Sequence, residues 1–172
     1  LSNQSGTLQA ANDIQLQQSS IQNQAGQIHA ANNVQLEATT LNNQGGLISA
    51  SGNTFALDVA GTLNNSAGGV LVTQANTMQI SAGGLNNTGG TIKHLGNGQL
   101  SLNGLSTLNN DNGVIDTAGN VTLTLNQLSN NSGVIAANQA TINAGSISNQ
   151  SGALQASQLN INTSNLNNTG GL

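Results

Sequence analysis

The pattern Leu/Ile-x-Asn-x-x-Gly recurs nine times along the chain, and this repetition limits it to an array of similar units. The copies begin at Leu1, Ile21, Leu41, Leu63, Leu85, Leu108, Leu128, Ile147 and Leu166. Their spacing of 19 to 23 residues leaves no segment of the 172 residues outside the array. Such a period is typical of solenoids, in which each coil adds one strand to every sheet. We predict a single repeat array over residues 1–172, without separate domains, and number its coils from these starts.

Within each unit apolar and polar residues alternate, as in a strand with one buried face. In coil two, a first strand directs Ile28 and Ala30 inward, and a second strand after a polar turn directs Val34 and Leu36 inward. The anchor Leu or Ile of the next unit opens a third face. Three short strands in a coil of about 20 residues predict an all-β fold, a right-handed parallel β-helix. Coils stacked about 4.8 Å apart would form a rod on the order of 40 Å long.

Two polar positions recur in every unit. The third position is always Asn: Asn3, Asn23, Asn43, Asn65, Asn87, Asn110, Asn130, Asn149 and Asn168. We expect these amides to stack as a structural hydrogen-bonded ladder, because buried polar groups must be paired; a row of ligands for sugar or metal is the alternative. The sixth position is always Gly: Gly6, Gly26, Gly46, Gly68, Gly90, Gly113, Gly133, Gly152 and Gly171. We expect this Gly to supply a backbone angle that other residues adopt only at a cost.

The composition argues against several classes of function. One Lys and no Arg cannot neutralise a row of phosphates, so we predict no binding of nucleic acid. Phe55 is the only aromatic residue, which disfavours the stacking of sugar rings on the surface. The chain has no Cys, and no apolar run is long enough to insert into a membrane.

The few ionisable residues do not form a recognisable catalytic or metal-binding set. His29 and His94 lie in different coils, about 14 Å apart at the expected coil spacing, which is too far for one ion. Asp111 and Asp116 flank Gly113 in one coil, and two carboxylates are the minimum for a glycosidase. No Arg, Tyr or nearby His is present to orient a substrate, so solvated surface residues are the favoured interpretation. We predict no enzyme, no catalytic or metal-binding residue and no cofactor.

Coils four to six differ most from the rest, because their spacing reaches 22 or 23 residues. The only Lys lies there beside a His, at Lys93 and His94. Longer corners of a solenoid commonly carry variable contacts. We take Lys93 and His94 as a candidate contact surface, with a tolerated insertion as the alternative.

The segments Leu41–Ala50 (LNNQGGLISA) and Leu85–Ile92 (LNNTGGTI) resemble the filamentous haemagglutinin repeat. The resemblance covers the whole chain. It implies a right-handed β-helix in a large exoprotein of a Gram-negative bacterium, exported by two-partner secretion through an outer-membrane transporter. Proteins with this repeat include filamentous adhesins and the toxin-bearing stalks of contact-dependent growth inhibition systems, so the resemblance implies a secreted or cell-surface virulence protein.

Many such repeats have an Asn-Arg pair before the glycines, whereas this chain has Asn-Gln, Asn-Ser, Asn-Thr or Asn-Asp. The resulting neutral surface favours a spacer over adhesion by charge. We therefore expect a rigid stalk segment that projects a distal adhesive or toxin region. The alternative is an adhesin module that binds a target-cell receptor or glycan through coils four to six. Since no atypical capping repeat occurs, we expect a fragment of a longer β-helix whose partners are the adjacent coils of the parent protein.

Overall fold

The computed structural model describes residues 1–172, which form strands and no helix. The strands are β1 (Thr7–Ala10), β2 (Ile14–Gln22), β3 (Gln27–Ala30), β4 (Val34–Asn42), β5 (Leu47–Ala50), β6 (Thr54–Asn64), β7 (Val70–Thr73), β8 (Thr77–Asn86), β9 (Thr91–His94), β10 (Gln99–Asn103), β11 (Thr107–Asn109), β12 (Val114–Thr117), β13 (Asn120–Ser129), β14 (Val134–Ser148) and β15 (Ala153–Asn167). The strands of the first face pair in the order β1-β3-β5-β7-β9-β12, and those of the second face pair in the order β2-β4-β6-β8-β10-β13. All pairings are parallel, which confirms the predicted all-β solenoid of about 8 turns.

Equivalent positions of successive coils lie directly above one another. The anchor Ile21 pairs with Leu41, which pairs with Leu63, and the same register continues to Leu166. The inward side chains form one continuous cluster of 36 buried apolar residues. Phe55 and Met78 are adjacent in this register and are both fully buried. The alternation in the sequence therefore fixes a narrow core that runs along the whole array.

The three faces of a coil do not always correspond to three separate strands. In most coils the second and third faces form one long strand, and in β14 and β15 all three faces are continuous. Between β2 and β4 the pairing omits only Ser19 and its partner, at the bend between two faces. The chain contains no Pro, so every residue at such a bend keeps the N–H that pairing requires.

The extra residues of the longer units lie mainly in the corner between the first and second faces. Three residues separate Ala30 from Val34, whereas five residues, 95–99, separate His94 from Leu100. The strands on both sides stay paired, so the added residues bulge outward. Counted from Leu1, the enlarged units are coils three to five, and the assignment to coils four to six was wrong by one coil.

Candidate functional site

The inner Asn side chains form a row that follows the rod axis. In every coil from one to eight, Nδ2 donates a hydrogen bond of 2.6 to 2.8 Å to Oδ1 of the Asn in the next coil. The seven Asn residues from Asn23 to Asn149 are completely buried. All the donors point towards the carboxyl-terminal coil, so the row has one direction.

Each inner amide also holds the backbone of two coils. Asn87 is typical, since its Nδ2 lies 3.3 Å from the carbonyl oxygen of Gly90 in its own coil and 3.2 Å from that of Val114 in the next. No buried side-chain nitrogen or oxygen in the structure lacks a hydrogen-bond partner. The seven buried amides therefore have no exposed surface with which to bind a sugar or a metal.

The motif position is Gly for a different reason from the one we expected. Gly90 does not have a positive φ; an added Cβ would overlap the carbonyl oxygen of Asn65 and lie 2.7 Å from Oδ1 of Asn87. Most of the motif Gly residues face the preceding coil in the same way. Gly is needed because the backbones of successive coils approach closely at the ladder, and the predicted backbone angle was wrong.

The left-handed backbone belongs to the residue before this Gly. That residue is Gly89 in coil five, with φ of 63°, but it is Ala25 in coil two, with φ of 51°. In coil four the turn contains one more residue, so Gly69 and not Gly68 approaches the preceding coil, while Gly68 has φ of 81°. The turn closes where the N–H of the motif Gly donates to the carbonyl of the inner Asn, as from Gly26 to Asn23 at 3.0 Å.

A second, shorter row of amides lies on the outer side of the third face. Asn86 donates to Asn64 at 3.3 Å, and Asn64 donates to Asn42 at 3.4 Å. These side chains are half-buried, and their donors point in the opposite direction to those of the inner row. The sequence pattern did not distinguish this outer row, because the same position is Ser or Gln in coils one, two, seven and eight.

The structure separates the two residues of the expected contact surface. Lys93 is exposed and lies 3.4 Å from a carboxylate oxygen of Asp116. His94 is buried, with 1% exposure, so its assignment to a contact surface was wrong. Its Nε2 lies 2.9 Å from the carbonyl oxygen of Ala75, and its Nδ1 lies 2.9 Å from Oγ1 of Thr117. His94 thus connects coils four and six beneath the longest corner.

His29, Asp111 and Asp116 engage separate neighbours. His29 shares the outward column of Lys93, not that of His94, and its Nδ1 lies 2.8 Å from Oγ of Ser49. Asp111 accepts a hydrogen bond of 2.7 Å from Ser129 in coil seven, whereas Asp116 faces coil five. The two carboxylates are therefore directed to opposite neighbours and do not form the paired arrangement that a glycosidase uses.

The shallow depressions on the surface contain few ionisable groups, which are Glu37 and Asp58 in one and Asp13 in another. The one lined by Gln17, Glu37 and Asp58 has a volume of about 190 Å³. The largest, lined by Asn143, Asn162 and Thr163, has a volume of about 330 Å³, at the lower end of the usual range for ligand pockets, and no ionisable group lines it. No cluster of three His, Cys, Asp or Glu residues could hold a metal ion. No helix of the kind that crosses a membrane is present.

The stacked coils and the repeated motif match a known family of repeats along the chain. The family described as haemagglutinin repeat matches residues 1–54, 56–106 and 96–172. The chain belongs to the haemagglutinin repeat family. This membership confirms the resemblance inferred from the motif. No curated protein and no solved structure matches the chain. Haemagglutinin repeats are structural repeats of filamentous exoproteins, not enzymes.

Proposed function

We propose that these haemagglutinin repeats form a rigid stalk segment, which projects a distal adhesive or toxin region from the surface of a Gram-negative bacterium. The observation that carries this proposal is the unbroken inner ladder, which links Asn3 to Asn168 through every coil. A hinge would require a coil in which the ladder or the core is interrupted. Neither is interrupted, since the buried apolar cluster extends from Ile14 to Leu154.

The direction of the hydrogen bonds supports stiffness. In a parallel β-helix the strand pairing and the ladder both run along the rod, so bending or stretching the rod would strain many bonds together. At about 4.8 Å per coil, the described array contributes a length on the order of 40 Å. A stalk gains reach in proportion to the number of its coils.

The surface supports a spacer rather than an adhesive patch. Charged residues make up only 3% of the chain, and its net charge is −4. Long-range attraction between such a surface and a charged target would be weak. Export through an outer-membrane transporter is part of the proposal and is supported by membership of the family.

The carboxyl-terminal face of the array, formed by coil eight and the start of coil nine, has inward apolar side chains that another coil could cover. Leu159, Ile161 and Leu166 occupy inward columns but are 37 to 45% exposed. Their partners Ala140, Ile142 and Ile147 in the preceding register are buried. Apolar side chains of this kind become covered when another coil is added.

Small-angle X-ray scattering of the chain tests the stalk. The scattering should fit a straight rod with a cross-section of one coil, and the fit should not change when glycerol or moderate salt is added. A compact profile, or a distribution of bent shapes, would contradict a rigid stalk.

One observation favours the alternative, a module that contacts a receptor or glycan directly. Lys93 is exposed and precedes the longest corner of the array, residues 95–99. Lys93→Ala should abolish binding to target cells if this surface acts directly. Gln79→Ala, on another exposed face, is a matched control. Unchanged binding by both variants would exclude this contact surface and leave the stalk.

A further inference from the structure

Three Asn-Gly pairs occur in the chain, and the structure places them in different backbone environments. They are Asn97-Gly98, Asn103-Gly104 and Asn112-Gly113. All three Asn residues are exposed. The N–H groups of Gly98 and Gly104 donate no hydrogen bond to the backbone, whereas that of Gly113 donates to the carbonyl of Asn110 at 3.0 Å.

The chemistry of such pairs depends on the amide nitrogen of the Gly. After losing its proton, this nitrogen attacks Cγ of the Asn side chain, a five-membered succinimide forms, and ammonia leaves. Water then opens the ring and produces Asp or isoaspartate, so no further reactant is required. Gly favours the attack because it has no Cβ to shield the nitrogen and because its backbone rotates freely. A nitrogen that is held in a hydrogen bond cannot turn towards the side chain.

The two open pairs both lie in corners of coil five. Asn97 is in the five-residue corner after His94, where the carbonyl oxygen of Gly98 accepts from Asn120 at 3.1 Å and its Cα faces the carbonyl of Asn76, but its N–H has no backbone acceptor. Asn103 is the last residue of β10, and Gly104 follows in a turn with φ of 71°. The side chains of Asn97 and Asn103 make no hydrogen bond that would restrain their amides.

The third pair is fixed on both sides. Asn112 donates its N–H to the carbonyl of Asn131 at 3.0 Å, and Gly113 closes the motif turn onto Asn110. An added Cβ at Gly113 would lie 2.7 Å from Oδ1 of Asn110, the ladder amide of the same coil, so this turn lies directly against the ladder. The attack would require this turn to separate from the ladder.

We propose that Asn97 and Asn103 are sites of spontaneous deamidation in the folded protein and that Asn112 is protected by the ladder turn. Each event replaces a neutral amide by a carboxylate, so complete reaction changes the net charge from −4 to −6. Both new charges lie in the coil that carries Lys93, the only Lys of the chain. Deamidation would therefore make the surface of coil five more acidic as the protein ages. The ladder is not affected, because neither residue belongs to it.

The test is to incubate the folded chain in mildly alkaline buffer at physiological temperature and to follow it by ion-exchange chromatography and fragmentation mass spectrometry. We expect two successive acidic forms, each heavier by about 1 Da, with the changes at Asn97 and Asn103. The reaction at Asn112 should be at least about tenfold slower, because it requires local opening. In urea, Asn112 should react as rapidly as the other two.

Two variants complete the test. Asn97→Gln with Asn103→Gln should remove both acidic forms, since Gln forms a larger ring far more slowly. Asn112→Gln should leave both forms unchanged. Equal rates at all three sites in the folded chain would overturn the proposal. So would the absence of reaction at Asn97 and Asn103 under conditions in which the urea-unfolded chain reacts.

Discussion

Replacing Asn87 by Ala tests whether the inner ladder stabilises the rod. Asn87 is completely buried, and it accepts a hydrogen bond of 2.8 Å from Asn65. Its Nδ2 has two hydrogens and donates to Oδ1 of Asn110 at 2.7 Å and to two backbone carbonyls of adjacent turns. Ala at this position removes the hydrogen bond accepted from Asn65 and the bonds donated by the two hydrogens of Nδ2. It leaves Nδ2 of Asn65 and Oδ1 of Asn110 each without one partner.

The expected loss of stability follows from these contacts. Each lost hydrogen bond contributes about 1 kcal/mol net, and each buried group left unpaired adds about 1 kcal/mol or more. The free energy of unfolding should therefore fall by about 3–5 kcal/mol for Asn87→Ala. Such a loss is a large fraction of the roughly 5–15 kcal/mol that stabilises a typical domain.

Asn86→Ala is the matched control, because it makes the same substitution one residue away. Asn86 is half-buried, donates a bond of 3.3 Å to Asn64 and accepts two bonds from Thr88, at 3.2 Å from its N–H and at 2.7 Å from its Oγ1. Its removal should lower the free energy of unfolding by only about 1 kcal/mol, because the half-buried groups of Asn64 and Thr88 can bond to water instead.

Urea unfolding followed by far-ultraviolet circular dichroism is the suitable assay, because the chain has no Trp or Tyr to report by fluorescence. The dependence of stability on urea should be the same in both variants, so that the midpoints can be compared. If the two variants shift the midpoint equally, the ladder has no special contribution. A loss of less than about 1 kcal/mol in the free energy of unfolding for Asn87→Ala would also show that the ladder makes no special contribution.

Two other substitutions test the close approach of the coils and the buried imidazole. Gly90→Ala should lower the melting temperature far more than Gly89→Ala: the first adds a Cβ that overlaps the backbone of Asn65, and the second meets no atom within 4 Å and is only strained by its φ of 63°. Similar melting temperatures for the two variants would contradict the close approach. His94→Thr should be tolerated better than His94→Ala, because Thr73 in the same column already satisfies its corner through Oγ1. Equal thermal stability of the two variants at position 94 would show that its hydrogen bonds contribute little.

The fold could be predicted because one signal, alternation, fixes both the strand direction and the buried face. In coil two, Ile28 and Ala30 are two positions apart and so lie on the same face of a strand, and the same is true of Val34 and Leu36. In a parallel helical array each coil must repeat the pattern of its neighbour, so the repeat also fixes the register. Strand ends were less predictable, since a corner without Pro or Gly can keep β geometry.

The same alternation of inward and outward residues could have placed His94 correctly. Ile92 and His94 occupy the positions that Ile48 and Ala50 occupy in coil three, so His94 belongs to the inward set. Its polarity and its place beside Lys93 favoured the surface instead. The side chain can be buried because both of its nitrogens have hydrogen-bond partners beneath the longer corner. These partners lie in the neighbouring coils, so the sequence of a single unit does not reveal them.

The cause of the motif Gly could not be read from one unit either. Both a positive φ and a close backbone approach select Gly, and they differ only in what lies in the preceding coil. The residue before the Gly gave an indirect signal, because Ser5, Ala25, Gly45 and Asn112 show that the left-handed position accepts several side chains. The motif Gly never varies, whereas the residue before it does. This difference indicates that close packing between coils excludes a side chain at the Gly.

These two findings together explain how such a rod can vary without bending. Thr73 pairs with His94 on one side of the corner, and Met78 pairs with Leu100 on the other, although the corner grows from four to five residues. The ladder and the core therefore hold the register while the corner absorbs the insertion. Since the inward positions and the motif turn are restricted by neighbouring coils, change is confined to outward columns and to these corners. A repeat built in this way can acquire or lose a contact surface in one coil while the length and direction of the stalk stay the same.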